Sequence, residues 1–389
     1  MKKHLSLFLT LVLLMSVILC GCGSDKSAEA DRADYVINNG GIINIGVIAP
    51  SSGTNAEVGN DVISGVKFAN SLAEGVNIDQ KYFINLLVCD LNDDIKETSA
   101  KFIDNNVAAV ICAGTDYENT NAVIDAFKDY STPIIFTDNY SENISSSSTA
   151  YSFSVPYTYQ SSIVSAFLTS EGYSKGVVIC DDDNYSLTYA RAFKAMFEDE
   201  GGNVTIIHKP EYNSEDFVYI IGNDSYMKET AKQIKSENAD VNIILSEVFN
   251  KNSFETDLLE NVMFLSKFEI DIEKNHIGTD FINVFSNMND TAENDITSAV
   301  SYGYDAYMLV YGALAKCNPN SNDINRNSED SENAFTVDVS QINKTFKEII
   351  HYGTTDTIIF NEQGLIDTKF IYLDKIENSK STMLNRYEY

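Results

Sequence analysis

Basic residues are scarce in this chain of 389 residues, because 27 lysines and arginines stand against 57 aspartates and glutamates. The formal net charge is therefore −30. A surface with such an excess of negative charge repels nucleic acids and anionic lipid headgroups, which argues against DNA binding. Hydrophobic residues still make up 44% of the chain, which is enough for a sizeable buried core.

The usual signatures of catalytic, metal and cofactor sites are also missing. The first strand-to-helix loop fits neither GxGxxG nor GxxxxGK[ST], and the histidines form no HExxH pair. The acidic run 181–183 fails as an EF-hand loop, because Ser186 and Ala192 replace the required glycine and glutamate. Residues 172–176 (GYSKG) match the G-x-S-x-G elbow in letters but precede a strand instead of following one. The chain is thus predicted to be no enzyme and to use no metal or cofactor.

Long apolar runs are absent except at residues 5–19, which follow two lysines. This run is short for a membrane span but suits the apolar region of a secretory signal peptide. It ends in LCGC at 19–22, which resembles a bacterial lipobox. We therefore expect a lipoprotein signal peptide over 1–21, acyl chains on Cys22 and a lipidated, flexible tether over 22–41. The alternative is an ordinary signal peptide with incidental cysteines.

The folded body opens with an apolar run at 43–49 that ends at Pro50 in a small polar loop. Apolar residues then recur every three or four positions over 58–73, which predicts a helix. Thr54 and Glu57 fit a capping box at its start. A parallel strand that leads into a helix in this way exposes backbone N–H groups at the edge of the sheet where α/β proteins bind small ligands.

Short apolar runs alternate with helical patterns along the rest of the body. The predicted strands are 83–90, 107–113, 133–137, 176–182, 203–208 and 240–246, and the predicted helices are 95–105, 121–130, 159–171, 187–199 and 227–236. Apolar strands that alternate with helices indicate parallel sheets covered on both faces. These strands are too many for one compact sheet, and 151–156 (YSFSVP) is a plausible crossing between two sheets.

Five segments carry a family resemblance by their order. They are the opening strand, loop and helix, the pair 107–114 (VAAVICAG) and 132–139 (TPIIFTDN), the helix-like 301–315 (SYGYDAYMLVYGALA), and 352–364 (YGTTDTIIFNEQG). In this order the chain resembles type I periplasmic binding proteins, the solute receptors of ABC importers, in the branch that holds the leucine/isoleucine/valine receptors.

The resemblance implies an α/β fold of two Rossmann-like lobes with parallel sheets, joined by a three-crossing hinge. Lobe 1 would comprise 42–153 and 275–366, and lobe 2 would comprise 154–274 and 367–389. The chain would be a monomeric, membrane-anchored solute-binding protein outside the cytoplasm that passes a small polar ligand, such as an amino acid, to an ABC permease. Departures from the family pattern, among them the unalignable stretch 247–280 and the polar insertion 318–332, count against a standard branched-chain amino acid.

Candidate ligand-binding residues follow the carboxyl ends of the predicted strands. They are Ser51, Ser52, Asn55, Thr115, Asp116, Tyr117, Thr137, Asp138 and Asn139 in lobe 1, and Tyr157, Asp182, Tyr185 and Glu247 in lobe 2. Hydroxyls and free N–H groups suit a carboxylate, and Asp138 or Glu247 suits an ammonium group. For any single residue the alternative is a helix cap or a solvated acid. Asp305, in an apolar helix, is expected to make a structural hydrogen bond.

Other classes of function fit the sequence less well. A sensory or regulatory lipoprotein of the same fold, without a role in transport, stays open as an alternative. A transcription regulator would share the two-lobed fold, but the signal peptide, the acidic charge and the lack of a helix-turn-helix oppose it. A hydrolase would need a nucleophile and base that the sequence does not offer.

Overall fold

The computed structural model describes residues 36–37, 42–53, 55–72, 76–78, 82–115, 117–138, 142–210, 215–248, 251–267, 275–317, 337–355, 357–367 and 370–388. The predicted signal peptide and lipidation site Cys22 lie outside these ranges, as do Thr54, Asp116 and Asn139. Among the described helices, none combines the length and the apolar character needed to cross a bilayer.

Strands and helices alternate along most of the described chain. The strands are β1 (Val36–Ile37), β2 (Ile42–Ala49), β3 (Val76–Ile78), β4 (Tyr82–Asp90), β5 (Val110–Cys112), β6 (Ile134–Phe136), β7 (Ala150–Ser152), β8 (Lys175–Cys180), β9 (Asn203–Ile207), β10 (Phe217–Ile221), β11 (Ile243–Glu247), β12 (Met263–Ser266), β13 (Val337–Asp338), β14 (His351–Tyr352), β15 (Thr357–Ile358), β16 (Phe370–Glu377) and β17 (Lys380–Glu388). The α-helices are α1 (Ala56–Leu72), α2 (Ile95–Asp104), α3 (Tyr117–Phe127), α4 (Glu142–Ser146), α5 (Tyr157–Ser170), α6 (Asn184–Asp199), α7 (Asp224–Glu237), α8 (His276–Asn289), α9 (Ser298–Cys317) and α10 (Val339–Phe346).

The first sheet has six strands in the order β3-β4-β2-β5-β6-β7. All neighbours pair in parallel except β3, which is antiparallel to β4. The central strand β2 is buried at seven of its eight positions. Val47 packs into the cluster on one face of the sheet and Ile48 into the cluster on the other, as expected for a parallel sheet covered by helices.

The second sheet has seven strands in the order β17-β16-β12-β11-β10-β8-β9. The strands from β12 to β9 in this order are parallel, and β16 and β17 add an antiparallel hairpin at the opposite edge. The two sheets confirm the predicted α/β fold of two lobes with mostly parallel sheets.

Several elements differ from the sequence prediction. Strand β10 was not predicted, although it lies inside the second sheet between β11 and β8. Strand β12 lies inside the unalignable stretch 247–280, so this stretch contains an ordinary buried strand. The first residues of the predicted crossing 151–156 belong to β7, and only the residues after Ser152 leave the first sheet.

Three connecting segments, called passages below, run between the sheets. The first follows Ser152 at the end of β7, the second follows Ser266 at the end of β12, and the third precedes Phe370 at the start of β16. The first and third lie side by side, because Ser152 donates its N–H to the Gly364 carbonyl at 2.8 Å and accepts from the Ile366 N–H at 2.9 Å. Helix α9 returns to the first sheet and packs in the same hydrophobic cluster as β2. The carboxyl edges of both sheets therefore lie near the passages.

Candidate functional site

The loops after β2 and β4 meet at the carboxyl edge of the first sheet. The Ser51 hydroxyl donates to the Asp90 carboxylate, and the Asn92 amide donates to the Ser52 carbonyl at 3.2 Å and to its hydroxyl at 3.3 Å. The hydrogen bond from Ser51, followed by that from the Asn92 backbone, lowers the pKa of Asp90. Both predicted serines are exposed at this edge, and both contact the neighbouring loop.

Gly114 links three of the predicted loops. Its carbonyl accepts a hydrogen bond from the Asn55 amide at 3.1 Å, and its N–H donates to Asp138 Oδ2 at 2.6 Å. Its φ is +61°, and a Cβ there would lie 2.6 Å from Pro50 Cγ, so only glycine fits without rearrangement. Asn55 and Asp138 are thereby both hydrogen-bonded to the backbone of the same residue.

The other described residues of the ligand-binding set predicted for lobe 1 are buried or lie at the start of a helix. Thr137 is fully buried and donates to the Cys112 carbonyl at 3.3 Å, while the buried Thr115 hydroxyl accepts from Thr120 at 2.9 Å. Tyr117 begins α3. In this arrangement the two predicted threonine hydroxyls take part in bonds within the protein.

Asp138 carries the most strongly perturbed carboxyl group of the loops just described. Burial raises its pKa to about 7, against the opposing effects of the Gly114 N–H and of the Lys267 ammonium. A carboxyl group with such a pKa is poised between its neutral and charged forms near neutral pH. A cationic group placed beside it would favour the charged form.

A buried ion pair occupies the carboxyl ends of β11 and β12. Lys267 Nζ lies 2.9 Å from Glu247 Oε1, and each residue is only 8% exposed. Burial raises the pKa of Glu247, and the Lys267 ammonium opposes this shift. The predicted ligand residue Glu247 therefore already has a cationic partner from its own chain.

A polar network extends from Glu247 to α5, α6 and β10, which belong to the same lobe. The Gln160 amide donates to Glu247 Oε2 and to the Val155 carbonyl, both at 3.0 Å, and its oxygen accepts from the Tyr189 hydroxyl at 2.9 Å. The Tyr189 and Tyr219 hydroxyls lie 2.7 Å apart. Every one of these side chains is buried, so the network is held rigidly.

Lys267 also joins this network to the first passage and to α9. Its Nζ donates to the Phe153 carbonyl at 2.5 Å and lies 5.2 Å from the centre of the Tyr302 ring. The sequence prediction missed Lys267 because it lies in the stretch that could not be aligned. The signal available there was a lysine placed two residues after the apolar run 262–265 (VMFL).

The predicted tyrosines of the second lobe belong to one aromatic cluster. The Tyr157 ring lies 6.1 Å from the Tyr185 ring and 5.9 Å from the Tyr189 ring, so both predicted tyrosines adjoin the polar network. Asp182 is exposed, and its neighbour Asp183 caps α6 by accepting from the Ser186 N–H at 2.9 Å. Within the described ranges, no group of acidic, histidine or cysteine side chains forms a metal site.

Asp305 makes the structural hydrogen bonds expected of it. Its carboxylate accepts from the Thr354 N–H at 3.0 Å and from the Thr354 hydroxyl at 2.8 Å. His351 Nε2 lies 3.7 Å from the same carboxylate. Asp305 therefore fixes the segment between β14 and β15 against α9.

The site as a whole is a set of polar groups at the carboxyl edges of two sheets. Asp138 and Gly114 lie on the first sheet, Glu247 and Lys267 lie on the second, and the charge of Lys267 lowers the pKa of Asp138. Groups of this kind can hold a small polar molecule through hydrogen bonds and charge.

Comparison with known proteins agrees with this architecture. The leucine binding protein LivK from Thermotoga maritima is 16% identical, with 89% of this chain and 99% of that chain covered at a TM-score of 0.73. A solute-binding protein from R. palustris in complex with benzoate is 13% identical, with coverages of 90% and 97% and the same TM-score of 0.73. The substrate binding protein LivJ from Streptococcus pneumoniae, in complex with isoleucine, is 15% identical, with coverages of 90% and 99% and a TM-score of 0.69. These structures share the fold of this chain.

No curated protein matches the sequence of the chain. The family model for periplasmic binding proteins matches residues 42–254, which is more than half of the chain. This family comprises binding proteins and not enzymes, which confirms the prediction that the chain is no enzyme, and it implies a location outside the cytoplasm. The chain belongs to the periplasmic binding protein family.

Proposed function

We propose that the chain captures a small polar solute between its two lobes and delivers it to an ABC importer. The observation that carries this proposal is a set of polar groups at strand ends of both sheets, with the half-buried Asp138 on one sheet and the buried pair of Glu247 and Lys267 on the other. We assign residues 42–153 and 275–366 to lobe 1 and residues 154–274 and 367–389 to lobe 2.

The solute is an amino acid or a related compound. Proteins of similar fold are described with leucine, isoleucine or benzoate, all of which carry a carboxylate. Backbone N–H groups and the Ser52 hydroxyl are suitable donors to such a group, whereas the Ser51 hydroxyl donates to Asp90. We assign Asp138 as the partner of the ligand's ammonium group, because the negative charge of Glu247 is already paired with Lys267.

Capture requires that the bound and free proteins differ in the arrangement of the lobes. A ligand that touches both sheets only in the closed arrangement shifts the equilibrium toward that arrangement. The passages would bend during this motion. The importer would then recognise the closed, loaded protein, which acts as a monomer.

The proposed location is the outer face of the cell membrane. Acyl chains on Cys22 would hold the protein there, and the polar segment 22–41 would let the body reach the permease. The charge of −30 keeps the body off anionic lipid headgroups.

Thermal unfolding of the fragment 23–389 against amino acids, amides, short peptides, polyols and nucleosides tests the proposal. A solute at about 100 times its dissociation constant stabilises a protein by about 2.7 kcal/mol, which raises the melting temperature by a few degrees here. An amino acid should give such a shift. If the fragment unfolds cooperatively and no member of the panel shifts it, the proposed solute class is wrong.

Two variants make the test specific. Asp138→Asn should reduce the shift given by an amine-bearing solute, because it removes the negative charge that faces the ammonium. Asp199→Asn, at the exposed end of α6, removes the same charge far from the strand ends and should leave the shift unchanged. Equal shifts in both variants would remove Asp138 from the binding set.

A further inference from the structure

The first described strand of the chain joins the folded body beside α10. Strand β1 pairs antiparallel with β13, so that Val36 lies opposite Asp338 and Ile37 lies opposite Val337. Asp338 also caps α10, because its carboxylate accepts from the Ser340 N–H at 2.8 Å. The segment that precedes β1 therefore meets the body at the start of α10.

The length of that segment places a membrane near α10. The lipid anchor proposed at Cys22 lies 14 positions before Val36. A random coil of this length has an r.m.s. end-to-end distance of about 20 Å. A body of this size has a radius of gyration of about 20 Å as well, so the anchoring bilayer faces the side of the body on which α10 lies. This step rests on the lipid anchor of the proposed function.

An exposed surface of mixed basic and apolar character lies on α10 and the residues that follow it. Lys344 and Lys347 are exposed and stand three positions apart, on the same side of the helix. Ile350 is 57% exposed, and Tyr352, at 67%, is the most exposed large hydrophobic residue of the described ranges. These four residues are called the α10 surface.

The local charge of the α10 surface differs from that of the whole chain. The nearby Glu348 carboxylate lies 4.0 Å from Lys316 Nζ, so a third lysine offsets its charge. The surface is therefore locally positive on a chain with a net charge of −30. Anionic headgroups repel the body as a whole but attract these lysines within a Debye length of about 8–10 Å.

Another exposed apolar surface lacks this combination. Helix α8 exposes Ile277, Val284 and Met288, whose spacing of seven and four positions puts them on one side of the helix. Residues 276–295 contain four acidic residues and no lysine or arginine. An anionic bilayer would repel the α8 side, which makes α8 a suitable control for the α10 surface.

We propose that the α10 surface rests on the lipid bilayer to which the chain is anchored. Ile350 and the Tyr352 ring enter the interfacial region, where side chains with an apolar body and a polar end are favoured. Lys344 and Lys347 extend to the phosphates of the headgroups. The contact gives the anchored body one orientation on the membrane.

Tryptophan fluorescence tests the contact, because the chain contains no tryptophan of its own. Tyr352→Trp places the probe in the α10 surface, and Met288→Trp places it on α8 at a residue that is 57% exposed. Each full, lipidated chain is studied in nanodiscs of phosphatidylcholine and phosphatidylglycerol, with and without bromine near the headgroup end of the acyl chains. Bromine quenches tryptophan at close contact, so Tyr352→Trp should be quenched and Met288→Trp should not. Equal quenching of both variants, or none of Tyr352→Trp, would overturn the proposal.

Two pairs of lysines test the role of charge in the Tyr352→Trp chain. Lys344→Gln with Lys347→Gln should remove most of the quenching, since each lysine near an anionic surface favours contact about fivefold. Lys96→Gln with Lys128→Gln makes the same change of net charge at exposed residues of α2 and of the turn after α3, and should leave the quenching unchanged. The same quenching in both double variants would contradict the attraction of the α10 surface to headgroups.

Co-purification with the nanodiscs separates this proposal from the anchor on which it rests. A chain that does not co-purify overturns both the anchor and the membrane-facing surface. A chain that co-purifies while Tyr352→Trp stays unquenched overturns the surface and supports the anchor. Capture of a solute, measured by thermal unfolding, is independent of either result.

Discussion

At the scale of single residues, Lys267 connects more parts of the molecule than any predicted site residue does. It follows β12, pairs with Glu247 at the end of β11 and donates to the Phe153 carbonyl in the first passage. The sequence offered no means to pair Lys267 with Glu247, since the pairing depends on β11 and β12 being neighbours in the sheet. Glu247 itself could be predicted, because it follows an apolar run.

Replacement of Lys267 by methionine should destabilise the protein severely. It leaves the Glu247 carboxylate buried without its cation, and the loss of one partner of a buried ion pair costs about 3–5 kcal/mol. Urea unfolding at neutral pH measures the loss. The added change Glu247→Gln should restore much of the stability, and a single variant as stable as the original chain would show that the pair contributes little.

Asp138 should make stability depend on pH. The pKa of the Asp138 carboxyl group is about 7 in the folded state and 3.8 in the unfolded state. Between these values the folded state binds more protons, so its stability falls as pH rises. The variant Asp138→Asn lacks this decline, and its stability relative to the original chain should increase from about pH 4 to about pH 8. Parallel pH profiles for the two proteins would contradict the raised pKa.

At the scale of elements, the contact between α1 and α9 depends on two glycines. A Cβ at Gly65 would lie 1.9 Å from the Val300 carbonyl oxygen, and a Cβ at Gly303 would lie 2.2 Å from the Val62 carbonyl oxygen. Both conflicts are with backbone, which has little room to move. The two helices can therefore approach closely only with these residues, and α9 is fixed to the first sheet in this way.

The variant Gly303→Ala should lose about 1–3 kcal/mol of unfolding free energy, as expected for overpacking at a tight contact. Gly312→Ala is the matched control in the same helix, because its Cβ would meet only the flexible end of Ile349 at 3.3 Å. That control should be neutral or gain up to about 1 kcal/mol from helix propensity. Chemical denaturation compares the two, and equal stabilities would contradict the close approach of the helices.

Sequence periodicity predicted the elements with strong patterns and missed the others. The apolar runs of β4, β6 and β8 fell within a residue or two of their observed bounds. Strand β17 is exposed at most positions, so it lacks the apolar pattern of a strand, and its place depends on the hairpin with β16. A short apolar run such as that of β10 can be a buried strand or part of a buried helix, and periodicity cannot distinguish the two.

At the scale of the whole molecule, the family could be inferred before the binding chemistry. The order of strand, loop and helix segments is a property of the fold, and it survives changes in single side chains. The binding groups depend on which strand ends meet, as Gly114 and Asp138 do across the loops after β5 and β6. This is why the predicted loops could be named, whereas Lys267 and Gln160 could not.

The central claim is that a small solute closes the two lobes on each other. Small-angle X-ray scattering of the fragment 23–389, with and without the solute that gives the largest thermal shift, tests it most directly. The radius of gyration should fall on addition of solute, and the decrease should be absent at the same concentration in Asp138→Asn if the solute carries an amine. A solute that binds and stabilises the protein while the scattering curve stays unchanged would contradict capture by closure.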